Sequence, residues 1–358
     1  MTDTMRVLAQ PLYKTENPYA QTVYAPMAAL GVDVQEFSAK RLLFGRYDIW
    51  HRHWPERALN ERNLGAVLLK LLAAVLCTWV ARLKGIRIVW TAHNLQAHEQ
   101  YYPSLEKLFW FWFTRNLDGY ISLSHTALQA VQERFPNLKH LPGFVIPHSH
   151  YRGQYLDTIT SAEARRHLNI PPSAQVVLLF GKLRPYKNVS RLIQVFQECA
   201  KDQHALYIVG SPATSELAHE LSNLGQNDRR VQLVLERIDD HNVQYYFRAA
   251  DLVVLPYSEV LNSGAALLSL SFDCPVLAPS IGSLAELGDH VGASWFQTYS
   301  GELTAAHLLN AIAWAASSSH APHAPLGAFS PETISKKTVI AYQTLLSESS
   351  IPLSKEPA

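Results

Sequence analysis

Short runs of aliphatic residues alternate with segments of helical periodicity along the whole chain. Strand-like runs are predicted in the first half at 6–9, 32–35, 47–53, 87–91, 119–124 and 144–147. The second half resumes the pattern with runs at 176–181, 205–210, 231–234, 252–256 and 275–279. Apolar strands separated by helices favour βαβ units and parallel sheets. We therefore predict an α/β protein with two doubly wound, Rossmann-like domains that face a central ligand-binding cleft.

The pattern breaks after residue 150, and this break sets the predicted domain boundaries. The connecting segment contains a short polar helix and ends in two consecutive prolines, which is typical of a link between domains. The predicted divisions are an N-terminal domain at 1–150, a connector at 151–172, a C-terminal domain at 173–329, a final helix at 330–347 and a tail at 348–358.

Composition narrows the class of protein. The 358 residues include 31 basic and 30 acidic side chains, so the formal net charge is only +1. A nucleic-acid-binding protein normally carries a basic excess, so no nucleic-acid partner is expected. The three cysteines, Cys77, Cys199 and Cys274, are too few for a disulfide scaffold and too far apart for a zinc site. Together with the lack of a signal-peptide pattern at 1–10, this favours a cytoplasmic location.

One apolar segment approaches the length of a membrane-spanning helix. Residues 64–81 are almost wholly apolar, but Lys70 interrupts them and a strand-like run follows at once. An aromatic cluster at 108–113, beside Lys107 and Arg115, is typical either of a core helix or of a helix seated in the lipid interface. The hypothesis is peripheral contact with the cytoplasmic face of a membrane rather than a span.

Three cations follow the first predicted strand of the second half. Lys182, Arg184 and Lys187 lie between Gly181 and the start of the next helix. Flexible backbone and clustered cations beyond a strand suit a diphosphate, whose negative charge grows when it departs. The alternative interpretation is a solvated basic turn.

A second polar loop precedes a predicted helix that starts near Gly264. Backbone N–H groups at Gly264 and Ala265 would be available to phosphate oxygens. Asn262 and Ser263 are candidates for the same site, although either residue would also serve as a simple helix cap. Glu259 is a candidate for binding sugar hydroxyls, or else a surface residue of the loop.

Histidines and one tryptophan end two predicted strands of the first half. His51, His53 and Trp54 end one strand, and His93 and Asn94 follow another, at the same predicted sheet edge. A neutral imidazole can donate a hydrogen bond to a sugar or phosphate, and Trp54 can stack on a sugar ring. The alternatives are a histidine that only caps its strand and a tryptophan that only packs. No compact ligand motif joins the histidines, so no metal site is expected.

The two segments of the second half, taken together, resemble the nucleotide-sugar-binding half of GT-B glycosyltransferases of the group 1 (family four) type. In that family a Gly-Arg-x-x-x-x-Lys motif follows the first strand of the C-terminal domain. Here the matching positions are Gly181, Lys182 and Lys187, with lysine in place of arginine. Residues 262–264 resemble the later donor loop, and 282–286 resemble the glycine-rich turn that follows it.

The resemblance implies an enzyme that moves a hexose from a nucleoside-diphosphate sugar to a glycan or lipid-linked acceptor, as in bacterial polysaccharide assembly. It places His93 at the donor's sugar or phosphate, and the final helix against the N-terminal domain. An inverting transfer would need a carboxylate base, for which Glu99 is the candidate. No metal or other cofactor is implied. The family's glycine-rich loop after the first strand is replaced by 10–19, which suggests an altered acceptor or phosphate contact.

One departure from the family keeps other functions open. Ser269 stands where the family has the second of two glutamates, the one that contacts the ribose. A nucleotide-sugar-binding scaffold without turnover is one alternative, and a nucleotide-sugar epimerase, which needs no acceptor, is another. A nicotinamide oxidoreductase is disfavoured because no G-x-G-x-x-G motif opens either half.

Overall fold

A computed structural model describes residues 4–12, 18–97, 99–317 and 321–347, and its contacts divide the chain into two compact units. The first unit holds the described residues up to Ser149 and those from Ala328 onward, and the second unit spans His150–Gly327. The chain therefore passes from the first unit into the second and back again. The predicted tail at 348–358 lies outside the described residues.

Six parallel strands form the sheet of the first unit. In chain order they are β1 (Met5–Gln10), β2 (Val32–Glu36), β3 (Ile49–Arg52), β4 (Arg87–Ala92), β5 (Gly119–Ser122) and β6 (Gly143–Val145). Their spatial order is β2-β1-β3-β4-β5-β6. In this register His51 of the central strand β3 lies between Ala9 of β1 and Val89 of β4. The carboxyl ends of β1, β3 and β4 therefore meet at one edge of the sheet.

Helices connect these strands and cover both faces of the sheet. They are α1 (Tyr19–Tyr24), α2 (Ala39–Phe44), α3 (Leu64–Leu83), α4 (Pro103–Thr114) and α5 (His125–Arg134). Three of them start at a side-chain cap, because Ser38, Asn63 and Ser124 each accept a backbone N–H of the first turn. A core of Leu8, Trp50, Ile88 and residues of α3, α4 and α5 fills one face.

The second unit repeats the architecture. Its strands are β7 (Gln175–Phe180), β8 (His204–Val209), β9 (Val231–Val234), β10 (Leu252–Val254), β11 (Val276–Pro279) and β12 (Phe296–Tyr299), arranged as β12-β11-β10-β7-β8-β9 and all parallel. Its helices are α6 (Ser161–His167), α7 (Val189–Cys199), α8 (Ser215–Gly225), α9 (Val243–Ala249), α10 (Gly264–Ser271), α11 (Gly282–Val291) and α12 (Ala305–Ser317).

The last helix, α13 (Pro331–Ser347), packs on the first unit, where it contacts α1 and the 3-10 helix Ala25–Leu30. The Oγ of Ser335 donates a hydrogen bond of 2.5 Å to the carbonyl of Val23. With α1, this helix covers the second face of the β1–β6 sheet, over a core that includes Val7, Ile49 and Tyr342.

The doubly wound α/β class is confirmed, and several local expectations need correction. The glycine-rich turn predicted at 282–286 is the first half of α11, because Gly282 turns the chain at φ 50° directly into that helix. The stretch treated as a connector, 151–172, contains α6, which packs against α9 and belongs to the second unit. Helix α1 changes to 3-10 geometry where Pro26 enters the chain.

Candidate active site

Two glycines bring the strand ends of β7 and β8 together in the second unit. Gly181 follows β7 with φ 105°, and Gly210 follows β8 with φ 141°. A Cβ on Gly210 would lie 2.1 Å from the carbonyl oxygen of Gly181, so only glycine fits this approach. The close contact fixes the start of the cationic loop beyond β7.

Lys187 is the most buried of the three cations in this loop. It ends the 3-10 helix Pro185–Lys187, and only 7% of its surface is exposed. Its ammonium lies 3.5 Å from the position of a Cβ on Gly181 and 5.5 Å from the ring centroid of Tyr257. This ammonium makes no hydrogen bond or ion pair with any described residue. Burial, which is the larger cause, and the neighbouring Arg184 together lower the pKa of Lys187 to about 8.

The loop after β10 contacts the 3-10 helix that carries Lys187. The backbone N–H of Ser258 donates to the carbonyl of Tyr186 at 2.8 Å, and the Tyr186 and Tyr257 rings meet edge to face. Tyr257 is buried, which raises the pKa of its hydroxyl. The two segments singled out in the sequence therefore form one structural site.

Helix α10 begins at this site. The Ser263 hydroxyl accepts the N–H of Ala266 at 3.3 Å. Ser263 is therefore a helix cap, which was the alternative role considered for it in the sequence. The other N–H groups of the first turn have no acceptor inside the helix. Ser269, at the position of the family's glutamate, is buried and donates to the carbonyl of Ala265 at 2.8 Å. Its short side chain is thus occupied within its own helix.

The remaining predicted donor-binding residues differ in exposure. Lys182 and Glu259 are exposed, whereas the others are half-buried at the same loops: Arg184, Asn262, Gly264 and Ala265. Glu259 lies close enough to Tyr186 to raise the pKa of that hydroxyl further, after burial. The structure brings Lys187, Tyr257 and Ser263 together, while the roles of all these residues toward a donor stay predictions.

A hydrogen-bonded cluster occupies the carboxyl edge of the first sheet. The hydroxyl of Tyr24 lies 2.8 Å from Nδ1 of His51 and 2.6 Å from Nε2 of His53. His51 is also 2.5 Å from the hydroxyl of Tyr342 on α13, through Nδ1, and 2.7 Å from Oγ1 of Thr91, through Nε2. Both histidines are buried, and burial lowers the pKa of His51 to about 3 and the pKa of His53 well below its usual value. They are neutral at physiological pH.

His93 extends the cluster toward the surface. Its Nε2 lies 3.0 Å from Nδ1 of His53, and its ring stacks on Trp54 with the ring centroids 4.3 Å apart. Both His93 and Trp54 are half-buried. The structure thus joins His51, His53, Trp54 and His93 in a single cluster. Trp54 is packed against a histidine, as its packing interpretation expected, although it keeps an exposed part.

The two carboxylates near this edge differ in their surroundings. Asn94 donates from Nδ2 to Oε1 of Glu56 at 2.7 Å, and burial raises the pKa of Glu56 to about 7. Glu99, the predicted base, is half-buried, and its backbone N–H donates to Oδ1 of Asn60. Sequence reasoning missed Glu56. Its position two residues after Trp54, at the end of a strand with polar residues, was the available signal.

No group of three or more His, Cys, Asp or Glu side chains within the described ranges is arranged to hold a metal ion. The histidines of the cluster are bonded to tyrosine and threonine hydroxyls and to one another.

A large apolar surface lies on α3. Seven of its side chains are at least 47% exposed: Leu64, Leu68, Leu69, Leu72, Leu76, Trp79 and Leu83. We call them the α3 face. Among the described residues, α3 is the one helix with the length and apolar composition that crossing a membrane requires. Its C-terminal end joins α2 through Lys84, whose ammonium donates to the carbonyls of Leu42 and Leu43.

Comparison with known proteins identifies the family. The family model described as "Glycosyl transferases group 1" matches residues 174–314. Over 292 residues, the chain is 32% identical to a GDP-mannose:glycolipid 4-beta-D-mannosyltransferase of Xanthomonas campestris pv. campestris, covering 82% of this chain and 78% of that one. The chain belongs to the group 1 glycosyltransferases. A D-inositol 3-phosphate glycosyltransferase 2 of Catenulispora acidiphila is 29% identical over 134 residues, or 34% of this chain and 31% of the relative.

Solved structures support the GT-B fold of this glycosyltransferase. Anabaena HepE in complex with UDP and glucose superposes with a TM-score of 0.60 at 17% identity, covering 98% of this chain and all of that one. WaaG, described as a glycosyltransferase involved in lipopolysaccharide biosynthesis, gives a TM-score of 0.60 at 14% identity with the same coverage. These likenesses show the fold, and the family match carries the glycosyltransferase assignment.

Proposed function

We propose that this glycosyltransferase moves mannose from GDP-mannose to the saccharide of a glycolipid. The observation that carries the proposal is the 32% identity over 292 residues to an enzyme named for that donor and that acceptor class. In the reaction an acceptor hydroxyl attacks the anomeric carbon, the bond to the diphosphate breaks, and the hydroxyl's proton is lost. Negative charge grows on the departing diphosphate and must be neutralised.

Lys187 supports a diphosphate site in the second unit. It is a buried ammonium without a hydrogen bond or ion pair to the described residues, and such a group gains strongly from an anionic partner. Arg184 and the first amides of α10, near Ser263, are the further groups that we assign to the phosphates. We propose that these charges and dipoles do the work without a metal ion.

His93 is the residue that we assign to the transferred sugar. The stack with Trp54 and the bond to His53 fix its ring, and part of it remains exposed. Neutral His53 at this contact leaves His93 able to donate or accept a proton without a competing buried charge. Glu99 remains our candidate for the base.

The α3 face supports peripheral contact with a membrane that carries the glycolipid. Leu69 is 69% exposed and Trp79 is 66% exposed, whereas only Val67, Thr78 and Ala81 of this helix are buried. An apolar patch of this size is uncommon on a protein that meets only water.

Donor choice and transfer are tested in two steps. First, thermal unfolding of the full chain is measured with GDP, UDP and ADP at millimolar concentration, in the presence of EDTA. A ligand that binds the folded state raises the midpoint with concentration, and we expect GDP to do so. Second, labelled GDP-mannose is incubated with a lipid extract of the source organism, and label in the organic phase is counted.

Matched lysine variants separate a specific effect from a general one. Lys187→Ala should lose the response to GDP, while Lys201→Ala, at an exposed position of the same unit, should keep it. If UDP or ADP stabilises the protein and GDP does not, the proposed donor is wrong. Transfer of label to water-soluble material alone would contradict the glycolipid acceptor.

A further inference from the structure

The central strand β3 presents different chemistry on its two faces. Side chains alternate along a strand, so His51 points to the face covered by α1 and α13, and Trp50 and Arg52 point to the face covered by α3 and α4. Arg52 is only 5% exposed. The carbon of its guanidinium lies 4.8 Å from the ring centroid of Trp50 and 5.0 Å from that of Phe113.

The Arg52 guanidinium has no hydrogen-bond partner among the described residues. Its Nε and Nη1 are shielded from solvent and make no hydrogen bond. Burial lowers the pKa of Arg52 to about 10, although Cys77 and Glu56 oppose part of that shift, so Arg52 stays charged at neutral pH. Glu56 is itself held by Asn94. Buried charges are normally paired, so this guanidinium lacks an anion.

Arg52 lines a cavity of about 410 Å³ at the carboxyl edge of the sheet. Two further wall residues carry buried polar atoms without a partner, namely Nε1 of Trp50 and Oε1 of Gln10. Among the described residues no carboxylate lines this cavity, whereas Arg57 and Lys70 do. It therefore offers several donors and positive charge, which is the environment that phosphate oxygens require.

The opposite wall of the cavity is α3. Lys70, Ala73, Ala74 and Cys77 face inward from this helix, and the α3 face lies on its outer side. Lys70 also pairs with Glu61, and Arg57 lies over the Trp54 ring, whereas the Arg52 guanidinium makes no hydrogen bond or ion pair with a described residue. A ligand that carries both an anion and a lipid would meet the cavity on the inner side of α3 and the apolar surface on the outer side of the same helix.

We propose that this cavity binds the phosphate group through which the acceptor's saccharide is joined to its lipid. The proposal rests on the glycolipid acceptor proposed above. Phosphate oxygens accept hydrogen bonds from Nε and Nη1 of Arg52 and from Nε1 of Trp50, and Oε1 of Gln10 accepts a sugar hydroxyl. The lipid then leaves along the α3 face.

Titration calorimetry with short prenyl probes tests the cavity without needing the natural acceptor. Farnesyl diphosphate, farnesyl phosphate and farnesol are titrated below their micelle concentrations, with GDP in excess so that the donor site is filled. We expect both phosphates to bind and farnesol to bind at least about tenfold more weakly, since a hydrogen bond to a charged group contributes about 1.5–3 kcal/mol. Equal binding of farnesol would overturn the proposal.

Variants assign the binding to Arg52. Arg52→Met should weaken the binding of farnesyl diphosphate by about 10- to 100-fold, and Arg52→Lys should weaken this binding less because the charge is kept. Arg134→Met is the matched control, since Arg134 also lies over an aromatic ring but is exposed on α5. Lys187→Ala should leave this binding unchanged. Loss in Lys187→Ala with no loss in Arg52→Met would place the probe at the donor site and refute the proposal.

Two further arms distinguish the source of the phosphate. Inorganic pyrophosphate that binds as tightly as farnesyl diphosphate would show a free-anion site, and phosphatidylglycerol vesicles that displace the probe would show a headgroup site for bulk lipid. Either result overturns the assignment to the acceptor. Because these titrations need no turnover, Arg52-dependent binding without any response to GDP would contradict the proposed donor and leave the cavity assignment standing.

Discussion

Proton uptake by Lys187 gives a sharp prediction for the affinity of the nucleotide. In the empty protein the pKa of Lys187 lies at about 8 instead of 10.5, because the ammonium is buried and Arg184 is near. A diphosphate beside the ammonium would restore the charged form. Below pH 8 the lysine is already charged and binding takes up no proton. Above pH 8 binding must protonate it, so the dissociation constant should rise about tenfold per pH unit.

The same shift predicts how the stability of the empty protein depends on pH. The folded pKa is below the unfolded one, so the unfolded chain binds the extra proton between pH 8 and 10.5. The ionised lysine therefore destabilises the folded state below pH 8, and the penalty decreases as the pH rises through that interval. This difference between the two pKa values corresponds to about 3 kcal/mol in the free energy of unfolding. Lys187→Met should remove the penalty and, with it, the response to GDP.

Calorimetric titration of GDP at pH 7 and pH 9 measures the effect directly. Two buffers with different ionisation enthalpies give the number of protons taken up, which should be near zero at pH 7 and near one at pH 9. Lys187→Arg is the control, because an arginine stays charged at both values and any ionisation of the nucleotide is common to both proteins. Equal proton uptake by the wild-type protein and Lys187→Arg would refute the reasoning.

Two further predictions concern the first unit. Tyr24→Phe removes the hydroxyl between His51 and His53, so the free energy of unfolding should fall by about 1–3 kcal/mol in urea denaturation. A loss no larger than that of the exposed control Tyr101→Phe would argue against the cluster's structural role. The double variant Leu72→Gln and Leu76→Gln changes half-exposed positions of the α3 face. It should keep its melting temperature and float less with anionic vesicles, whereas Leu156→Gln in the second unit should float normally; unchanged flotation would contradict the membrane contact.

The sequence predicts the fold well because strand burial leaves a strong pattern. Fully apolar runs such as 176–180 and 252–255 belong to central parallel strands, where both faces are covered. It fails where a segment is short or mixed. Helix α2 has six residues, and β12 carries polar Gln297 and Thr298, so neither has the periodicity that marks a longer element.

The candidate site is only partly predictable, because its partners are far apart in sequence. The histidines stand out as residue types, but nothing local indicates that Tyr342 comes from the other end of the chain to meet His51. Arg52 lies between His51 and His53 in the sequence, but it is not among the candidate residues that the sequence suggests. Arg52 stands out because its buried guanidinium has no hydrogen-bond partner among the described residues. That is a property of three-dimensional packing and not of residue type.

The return of the chain to the first unit has a consequence for how the protein is made and dissected. Helix α13 supplies five buried residues, Ile334, Val339, Ala341, Tyr342 and Leu345, to a core whose other buried members lie between Val7 and Ile146 and are synthesised before the second unit. On the ribosome, one face of the β1–β6 sheet therefore lacks α13 until the whole second unit has emerged. A fragment that stops at residue 149 would expose that face, whereas a circular permutant that joins α13 ahead of β1 would let the first unit finish folding before the second begins.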